Sequence, residues 1–494
     1  MKTWLLLALT LAGAAPARAQ PAVPVPLPVG ARAEPLTLAD AEQRLIANNL
    51  AVLATRRGVD LAHAQRFVAT SLPPPQVTVG NTTGQFAETQ NGALRGARLF
   101  SPSNNISVGL QVLVERGSKR TLRTRVAEAQ VGAAEAQVLD ALRLQLFQLR
   151  QAFLGALLAR ANLEVALGNR ASLDRTETLL RRQFRDGAIP EGDLLRFQAS
   201  RLQFEPDVTS NAQSYAAGIA VVAALLAADP AAFQPGAGQQ AALGLNPSVP
   251  ASLGAPRAPE RAPAGVASAP TTVRTILSPV AFDVRGRFGD VPELGIGRDE
   301  LSHAVASRAD VVAAARQAAA AGINLSLAEA GRSRDVTVNG QWGRSRLSQD
   351  LPSSNDRVDA INQFGLSLTV PIFTSRIVRG NIGVAQAQQG QADLQARATL
   401  LQARAEFAIA WAAYEQARAL LALYTGGALN RAEEAFRSTE MAYVAGGRTL
   451  LDVLDALRTL NATRLQANQA RQAYLLSLAA LEQATGVSGI APRL

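Results

Sequence analysis

Cysteine is absent from this chain of 494 residues, and histidine, methionine and lysine occur only twice each. Without cysteine, disulfide bonds, thiolate metal sites and a lipidated N-terminal cysteine are excluded. His63 and His303 each stand alone in a helical pattern, where a lone histidine is usually structural. The G-x-S-x-G, P-loop and H-E-x-x-H motifs of common active sites do not occur either. The sequence therefore predicts a protein that is not an enzyme, with no catalytic residue, cofactor or metal ligand.

Lysine is almost entirely replaced by arginine. Lys2 and Lys119 are the only lysines among 49 basic residues, and the formal net charge is +10. A basic balance of this kind can indicate a nucleic-acid partner. The arginines are scattered through the predicted helices, which is typical of solvated helix faces, and we expect no nucleic-acid partner.

The N-terminus has the pattern of a secretory signal peptide, with a charge at Lys2 and an apolar core from Leu5 to Ala15. An A-x-A cleavage site at residues 17–19 predicts that residues 1–19 are removed. The apolar run is too short to span a bilayer. We expect a secreted, periplasmic or outer-membrane protein whose mature chain begins with a Pro- and Ala-rich extended arm over residues 20–35.

Proline is missing from long stretches, which predict helices. The stretch from Thr121 to Phe184 predicts a helix about 95 Å long. Its return, Asp193 to Ala228, is expected to kink at Pro206. Residues 230–292 are rich in Pro, Ala, Gly and Ser and predict an irregular linker. Further helices are predicted over Leu36–Ser71, Asp299–Glu329, the region from Ile372 to Tyr443, and a return helix to Thr485.

The return helix carries apolar and small residues at alternating spacings of four and three, which predicts a coiled-coil seam. Its members are Ala456, Leu460, Thr463, Ala467, Ala470, Tyr474, Ser477, Leu481 and Ala484.

Alternating apolar and polar residues predict strands, two in each half of the chain. The alternation is longest from Ile106 to Val114, about the length of a tilted strand that crosses a bilayer. Taken alone, the pattern of this strand favours a soluble sheet with one dry face. The other predicted strands are Val77–Gly80, Asp335–Trp342 and Phe364–Val370.

Between the last two helices lies a short tip. Gly446 and Gly447 predict a turn, and Thr449 is suited to cap the following helix. Asp452 and Asp455 are spaced i and i+3, so both carboxylates are expected on one helix face.

An earlier stretch repeats this tip. The aromatic residue, the glycine and the first aspartate recur at a constant offset, because 443−184, 446−187 and 452−193 each give 259. Gly187 and Asp193 are therefore the counterparts of Gly446 and Asp452, and the chain is predicted to be an internal duplication. The predicted organisation is a signal peptide (1–19), an arm (20–35), a first repeat (36–229), a linker (230–292) and a second repeat (293–494).

With these motifs in place, the chain resembles the TolC-type outer-membrane efflux proteins. The resemblance covers nearly the whole mature chain, through the twofold order of helix, strand, loop, strand, long helix, tip and return helix. Its motifs are Tyr443-x-x-Gly446-x-Arg448-Thr449-x-x-Asp452-Val453-Leu454-Asp455-Ala456, Val370-Pro371-Ile372-Phe373 and Arg308-Ala309-Asp310-Val311, where the family often has proline at the second position.

The resemblance implies a mostly α fold with a small transmembrane β-barrel contribution. The duplicated helix–strand–strand–helix halves would form a homotrimer with an α-helical tunnel and a shared 12-stranded β-barrel. Four strands of one chain cannot close a barrel alone, which such a trimer would explain. Val108 and Leu366 would then face lipid, and the pore would be lined by Ser107, Gln111, Ser367 and Thr369.

The same resemblance implies a periplasmic gate at the tips. Asp452 and Asp455 would form carboxylate rings around the pore axis. Tyr443 and Arg448 would tie the inner helix pair to the outer pair, with Asp193 as the partner in the first repeat.

The implied function is that of an outer-membrane channel in a tripartite efflux system of a Gram-negative bacterium, acting with a periplasmic adaptor and an inner-membrane pump. The segment Glu115–Arg123 is similar to the CzcC-like heavy-metal branch. Three alternatives stay open: a duct for type I protein secretion, a periplasmic coiled-coil adaptor, and a secreted enzyme. The adaptor would have one helical hairpin rather than duplicated strand pairs.

Overall fold

A computed structural model describes residues 34–82, 105–228, 282–286, 288–289, 291–345 and 361–491. The predicted signal peptide and nearly all of the arm and the linker lie outside the described residues. Two compact units are present. Among the described residues, the first unit contains those up to Thr37 and from Ala159 to Arg285, and the second contains those from Leu38 to Leu158 and from Gly286 onward.

The elements follow the predicted twofold order. The strands are β1 (Glu34–Leu36), β2 (Gln76–Thr82), β3 (Asn105–Val114), β4 (Phe282–Val284), β5 (Val336–Ser345) and β6 (Ile361–Thr369). The helices are α1 (Leu38–Asn48), α2 (Leu50–Thr70), α3 (Lys119–Arg185), α4 (Glu191–Arg201), α5 (Glu205–Leu225), α6 (Arg298–Ala304), α7 (Ala309–Ala330), α8 (Ser375–Leu423), α9 (Leu429–Val444) and α10 (Leu450–Thr485).

The second unit contains an antiparallel sheet in the order β2-β3-β5-β6, so the strands of the two halves meet at the β3–β5 pair. All four predicted strands are thereby confirmed. The outer edges of β2 and β6 have no strand partner among the described residues. The predicted barrel of twelve strands requires further chains and stays a prediction.

The first unit contains a short parallel pair that the sequence did not indicate. Strand β1 pairs with β4 in the register Glu34 to Phe282 and Leu36 to Val284. The Val284 N–H donates a hydrogen bond to the Tyr215 hydroxyl at 3.1 Å, and burial raises the pKa of Tyr215 to about 12. Three-residue strands are too short to show an alternation, and they lie where the composition predicted an arm and a linker.

Three helices that the sequence predicted as continuous are interrupted, and these predictions were wrong. The first breaks at Asn49, whose Oδ1 accepts hydrogen bonds from Ala51 N and Val52 N and so starts α2. The helix before β5 breaks at Arg308, which has extended backbone angles. The helix before the second tip is interrupted between α8 and α9, where Gly427 has φ +109°. The expected kink near Pro206 is present as a tight turn, Leu202–Phe204, just before it.

The main core of the second unit lies along α8 and α10. The predicted seam of α10 is buried from Leu460 onward, with the exception of Thr463. Tyr474 packs against Tyr414 with ring centroids 5.8 Å apart, and its hydroxyl donates a hydrogen bond to Pro292 O at 2.8 Å. The small seam residues allow this close approach of helices.

Candidate functional site

The register of the sheet separates its side chains into two faces. Val108 pairs with Val79 and Trp342, and Trp342 pairs with Phe364. The face that they share is apolar. It is also exposed, since Phe364 is 84% exposed and Leu366 is 78% exposed. Its large apolar residues are Val77, Val79, Ile106, Val108, Leu110, Val112, Val114, Val336, Val338, Trp342, Phe364, Leu366 and Leu368.

The opposite face is polar and glycine-rich. It contains all four residues that were predicted to line a pore, and its large apolar side chains are Leu113 and Ile361. Its rows in the sheet are Thr82–Asn105, Ser345–Ile361, Gly80–Ser107–Gly343–Gln363, Thr78–Gly109–Gln341–Gly365, Gln76–Gln111–Asn339–Ser367 and Leu113–Thr337–Thr369. The register therefore confirms that the two predicted sets of side chains lie on opposite faces, and their contact with lipid and with a pore stays a prediction.

Glycines on the polar face make room for side chains of the neighbouring strand. A Cβ placed on Gly109 would lie 2.6 Å from Thr78 Oγ1, and one on Gly365 would lie 2.9 Å from Gln341 Cγ. Such distances are shorter than any van der Waals contact, so the Thr78 and Gln341 side chains lie across their glycine partners. Pairs of a glycine with a polar residue on the adjacent strand therefore keep the side chains of the polar face close to the backbone of the sheet.

The two tips have the same turn geometry. In the second tip Gly446 has φ +79°, Gly446 N donates to Tyr443 O at 2.9 Å and Gly447 N donates to Ala442 O at 2.8 Å. In the first tip the equivalent bonds run from Gly187 N to Phe184 O and from Ala188 N to Gln183 O, with Gly187 at φ +73°. Both turns are helix C-caps of the Schellman type, with glycine in the left-handed position. The next helix starts at Glu191 or Leu450, which are again 259 positions apart.

The second tip fixes Asp452 as part of a helix cap. Thr449 N and Thr449 Oγ1 donate hydrogen bonds to Asp452 Oδ2 at 3.0 and 2.9 Å, and Asp452 N donates to Thr449 Oγ1 at 3.4 Å. This is a complete capping box, which confirms the predicted capping role of Thr449. The backbone hydrogen bond from Thr449, then its hydroxyl, and more weakly the charge of Arg448, lower the pKa of Asp452 from its usual value.

The first tip cannot form this cap. Asp193 occupies the position equivalent to Asp452, but Pro190 stands where Thr449 stands and offers neither an N–H nor a hydroxyl. Asp193 Oδ1 instead lies 3.9 Å from Arg196 Nη1 on its own helix. The two equivalent aspartates therefore have different local partners.

The remaining predicted gate residues are placed as follows. Tyr443 is half-buried in the last turn of α9, and its backbone carbonyl closes the tip turn. Arg448 and Asp455 are exposed, and Asp455 lies one turn after Asp452 on α10. Arg448 belongs to the second unit and Asp193 to the first, so their predicted pairing stays a prediction.

A buried ion-pair cluster was not recognised from the sequence. The Arg308 side chain is 1% exposed, and its Nε and Nη2 donate to both oxygens of Asp310 at 2.7 and 2.6 Å. Its Nη1 donates to Glu406 Oε2 at 2.7 Å and to Ala484 O at 3.3 Å. Burial raises the pKa of Asp310, but the hydrogen bonds and charge of Arg308, together with Arg143, outweigh it and hold that pKa below its usual value.

The cluster continues along α3. Arg150 bridges Glu42 and Glu482 at 2.6 and 2.7 Å. Glu482 Oε2 also accepts hydrogen bonds from the backbone N–H groups of Gly489, Ile490 and Ala491 at 2.8 to 3.0 Å. The chain after α10 is thereby held against its own helix. The Arg-x-Asp spacing at positions 308–310 was the only sequence signal for this arrangement.

The described part of the chain offers no metal site and one helical stretch of membrane-spanning length. Within this described part, no three or more His, Asp and Glu side chains converge in a way that could hold a metal ion. One helical stretch, Arg298–Ala330, is long and apolar enough to cross a membrane by length and composition alone. It is broken at Arg308, whose buried ion pairs attach it to α8.

Comparison with known proteins gives a family match over part of the chain and a shared fold over most of it. Residues 301–487 match the family described as outer membrane efflux protein. The outer membrane protein TolC of Vibrio cholerae is 32% identical over 178 residues, which cover 33% of this chain and 37% of that protein. The chain thus spans a little over a third of the length of this relative.

Two solved structures extend the likeness over most of the chain. The Campylobacter jejuni CmeC outer membrane channel has a TM-score of 0.65 and 15% identity, covering 91% of this chain and 85% of that one. CusC, solved in a study of folding and transmembrane channel formation, has a TM-score of 0.64 and 18% identity, covering 96% and 99%. At such low identity these structures show a shared fold.

Proposed function

We propose that this chain, whose residues 301–487 match the outer membrane efflux protein family, belongs to that family over its whole length and is the outer-membrane duct of a tripartite efflux system. It carries solutes passively from the periplasm to the exterior and catalyses no reaction. A periplasmic adaptor and an inner-membrane pump are its proposed partners, and the pump supplies the free energy for transport.

The observation that carries this proposal is the two-faced sheet with open edges. An exposed apolar face that includes Phe364 and Leu366 suits contact with lipid acyl chains, and the polar face suits contact with water. Unpaired backbone groups on the edges of β2 and β6 are costly in a bilayer, because no water is present to bond them. Three chains that join edge to edge would satisfy these groups in a closed barrel of twelve strands.

We further propose that the tips form the gate of this duct. Asp455 projects from the start of α10 with a charge that three symmetric chains would gather into a ring, and Asp452 adds a second ring one turn earlier. Such rings favour cations. Arg448 and Tyr443 are proposed to hold the closed state by contacting Asp193 in the first tip. The capping box gives Asp452 a second task, because its carboxylate also starts the helix that carries Asp455.

The segment Glu115–Arg123 is the basis for proposing a heavy-metal cargo. Arg123 forms a bidentate ion pair with Glu115, so part of this motif maintains the strand-to-helix junction. The cargo assignment therefore stays a prediction from the resemblance.

Extraction and mass measurement test the duct. The full-length protein is expected to leave membranes only with detergent and to scatter light as a trimer once the mass of bound detergent is subtracted. In planar bilayers it is expected to give discrete conductance steps. A monodisperse, stable monomer in buffer without detergent would refute the proposal.

A further inference from the structure

All four strand-to-helix junctions of the sheet lie at one border, which we call the helix-side border. It comprises the start of β2 at Gln76, the end of β3 at Val114, the start of β5 at Val336 and the end of β6 at Thr369. The register aligns these positions, because Gln76 pairs with Gln111, Val114 with Val336, and Thr337 with Thr369.

Hydrogen bonds connect three of these junctions, and the fourth, between β6 and α8, adjoins them through the pairing of β5 with β6. Lys119 Nζ donates to both oxygens of Asp335 at 2.9 Å and to Ser333 O at 2.8 Å. Arg116 N also donates to Asp335 Oδ1 at 3.0 Å, and Arg120 Nε donates to Thr70 O at 2.7 Å. The loops at this border therefore form one connected surface.

The border carries an excess of positive charge. Its two carboxylates are already paired, Asp335 with Lys119 and Glu115 with Arg123. Six arginines at the border are exposed and have no carboxylate partner among the described residues; the next exposed acid along the chain is Glu329, in the last turn of α7. These six, which we call the border arginines, are Arg116, Arg120, Arg332, Arg334, Arg376 and Arg379.

Exposed apolar side chains stand among the border arginines. Phe373 is 88% exposed and has φ +59°, a backbone conformation that is strained for any residue with a Cβ. Leu72, Ile372 and Ile377 are each more than 60% exposed. No contact of the described residues accounts for this strain, and its effect is to hold a phenylalanine outward next to Arg376.

We propose that the helix-side border binds anionic phospholipids, with the border arginines contacting phosphate groups and Phe373 entering the acyl region beside them. Guanidinium groups bind phosphate through paired hydrogen bonds, and arginine is less strongly hydrated than lysine. Aromatic and basic residues at the end of an apolar band are typical of a membrane–water interface. The apolar face of the sheet adjoins this border directly. The inference rests on the proposed outer-membrane duct, since only a membrane-inserted sheet brings the border to lipid headgroups.

Lipid retention tests this site on the full-length protein. The protein is purified in detergent, exposed to equal amounts of phosphatidylglycerol and phosphatidylcholine, and the retained lipids are counted by native mass spectrometry. We expect the wild-type protein to retain phosphatidylglycerol preferentially. A variant with four border arginines neutralised should reduce that preference by at least about tenfold, since each arginine near an anionic surface contributes to binding. The variant is Arg332→Gln/Arg334→Gln/Arg376→Gln/Arg379→Gln.

Two matched variants complete the experiment. The first neutralises four exposed arginines on α8 and α9 and should retain the preference, because it changes net charge equally elsewhere. It is Arg397→Gln/Arg404→Gln/Arg431→Gln/Arg437→Gln. The second replaces the same four border arginines with lysine and should retain a reduced preference, which also shows that substitution there permits folding.

Equal retention of both lipids by the wild type would overturn the inference, as would an equal loss in the α8–α9 variant. Retention of a copurifying acidic protein in place of phosphatidylglycerol would also overturn it, because the site would then be a protein interface. A protein that needs no detergent at all would contradict the proposed duct, which is a different outcome from loss of the lipid preference. A detergent-dependent protein without lipid preference contradicts only the lipid site.

Discussion

Arg308 illustrates what one side chain contributes to this fold. It sits where the helical path between α6 and α7 breaks, and its guanidinium is taken out of water. Desolvation of a cation is costly, so the site is stable only because Asp310, Glu406 and the Ala484 carbonyl satisfy its donors. The arginine thereby joins three helices, α7, α8 and α10, at one point.

Replacing Arg308 with alanine is expected to lower the free energy of unfolding by about 3 kcal/mol, because Asp310 and Glu406 are left without their cation. The pKa of Asp310 lies below 3.8 in the folded protein, so its contribution is present above that pH and lost as pH falls through the folded pKa. Denaturant unfolding followed by tryptophan fluorescence at neutral and acidic pH measures both effects. Arg404→Ala on the exposed face of α8 is the control. Equal destabilisation by both variants would contradict a special role for Arg308.

The helical tips show how equivalent elements diverge while their backbone is kept. The turns around Gly187 and Gly446 have matching hydrogen bonds, but only the second has a side-chain cap. Proline at position 190 starts its helix through a fixed φ and contributes no cap bond. The start of α10 consequently depends on Thr449 and on the ionised state of Asp452, whereas the start of α4 does not.

Thr449→Val is expected to fray the first turn of α10, since losing a threonine cap costs about 1 kcal/mol. Thr449→Ser keeps the hydroxyl and should behave as wild type. In the wild type, the lowered pKa of Asp452 means that the cap is complete above pH 3.8 and lost as pH falls through the folded pKa. Hydrogen exchange of the amides after Leu450 measures this protection. Unchanged exchange in Thr449→Val would show that packing, and not the cap, holds the turn.

The faces of the sheet give a paired prediction at the level of strand β6. Lysine at Leu366 is expected to impair membrane assembly, because a cation on the lipid face near the bilayer centre costs about 2–4 kcal/mol. Lysine at Ser367, its neighbour on the polar face, should assemble normally. The amount of heat-resistant oligomer on a gel after membrane extraction compares the two. Similar yields would argue that the Leu366 face does not meet lipid.

Much of the architecture could be predicted from sequence because it rests on periodicity. The alternation of apolar and polar residues predicted the ends of β3 to within one or two residues, and the spacing of four and three predicted the buried seam of α10. The 259-residue offset predicted the positions of both tips. The sequence could not indicate β1 and β4, since three-residue strands have no period. The interruptions at Asn49 and Arg308 depend on a single cap and on ion pairs with distant residues, and helical composition hides them. The interruption at Gly427 did have a signal, the pair Gly426-Gly427, which the prediction of one continuous helix passed over. The positive φ of Phe373 has no sequence signal at all.

At the scale of the whole molecule, Asp452 belongs both to the proposed gate and to the observed helix cap. Substituting this residue would remove a charge of the proposed ring and a helix cap together, so its effect on conductance would have two causes. Asp455 has no capping role, so its substitution tests the effect of the charge without disturbing the start of α10. Arg448 belongs to the proposed closed-state contact with Asp193, in three copies that act on a single transition.

Arg448→Ala is expected to raise single-channel conductance in planar bilayers, because three exposed pairs of about 0–1 kcal/mol each are lost at once. Asp455→Asn should leave the conductance steps intact and weaken cation preference, since one ring of charge is removed. Arg437→Ala, on the exposed face of α9, is the control for the first variant. Wild-type conductance in Arg448→Ala and wild-type selectivity in Asp455→Asn would place the gate elsewhere.

The open edges of the four-stranded sheet also bear on the life of the chain before it reaches a bilayer. In the proposed assembly, a newly exported protomer would present the outer edges of β2 and β6 and a broad apolar face to water, which is the condition under which strands join wrong partners. Closure of the proposed barrel would need three protomers to meet, so its rate would fall steeply as the chains become dilute, whereas a helper protein could cover a single chain at any dilution. On this proposal, export rate and escort capacity, more than the stability of the finished assembly, would set how much of the protein reaches the membrane in working form.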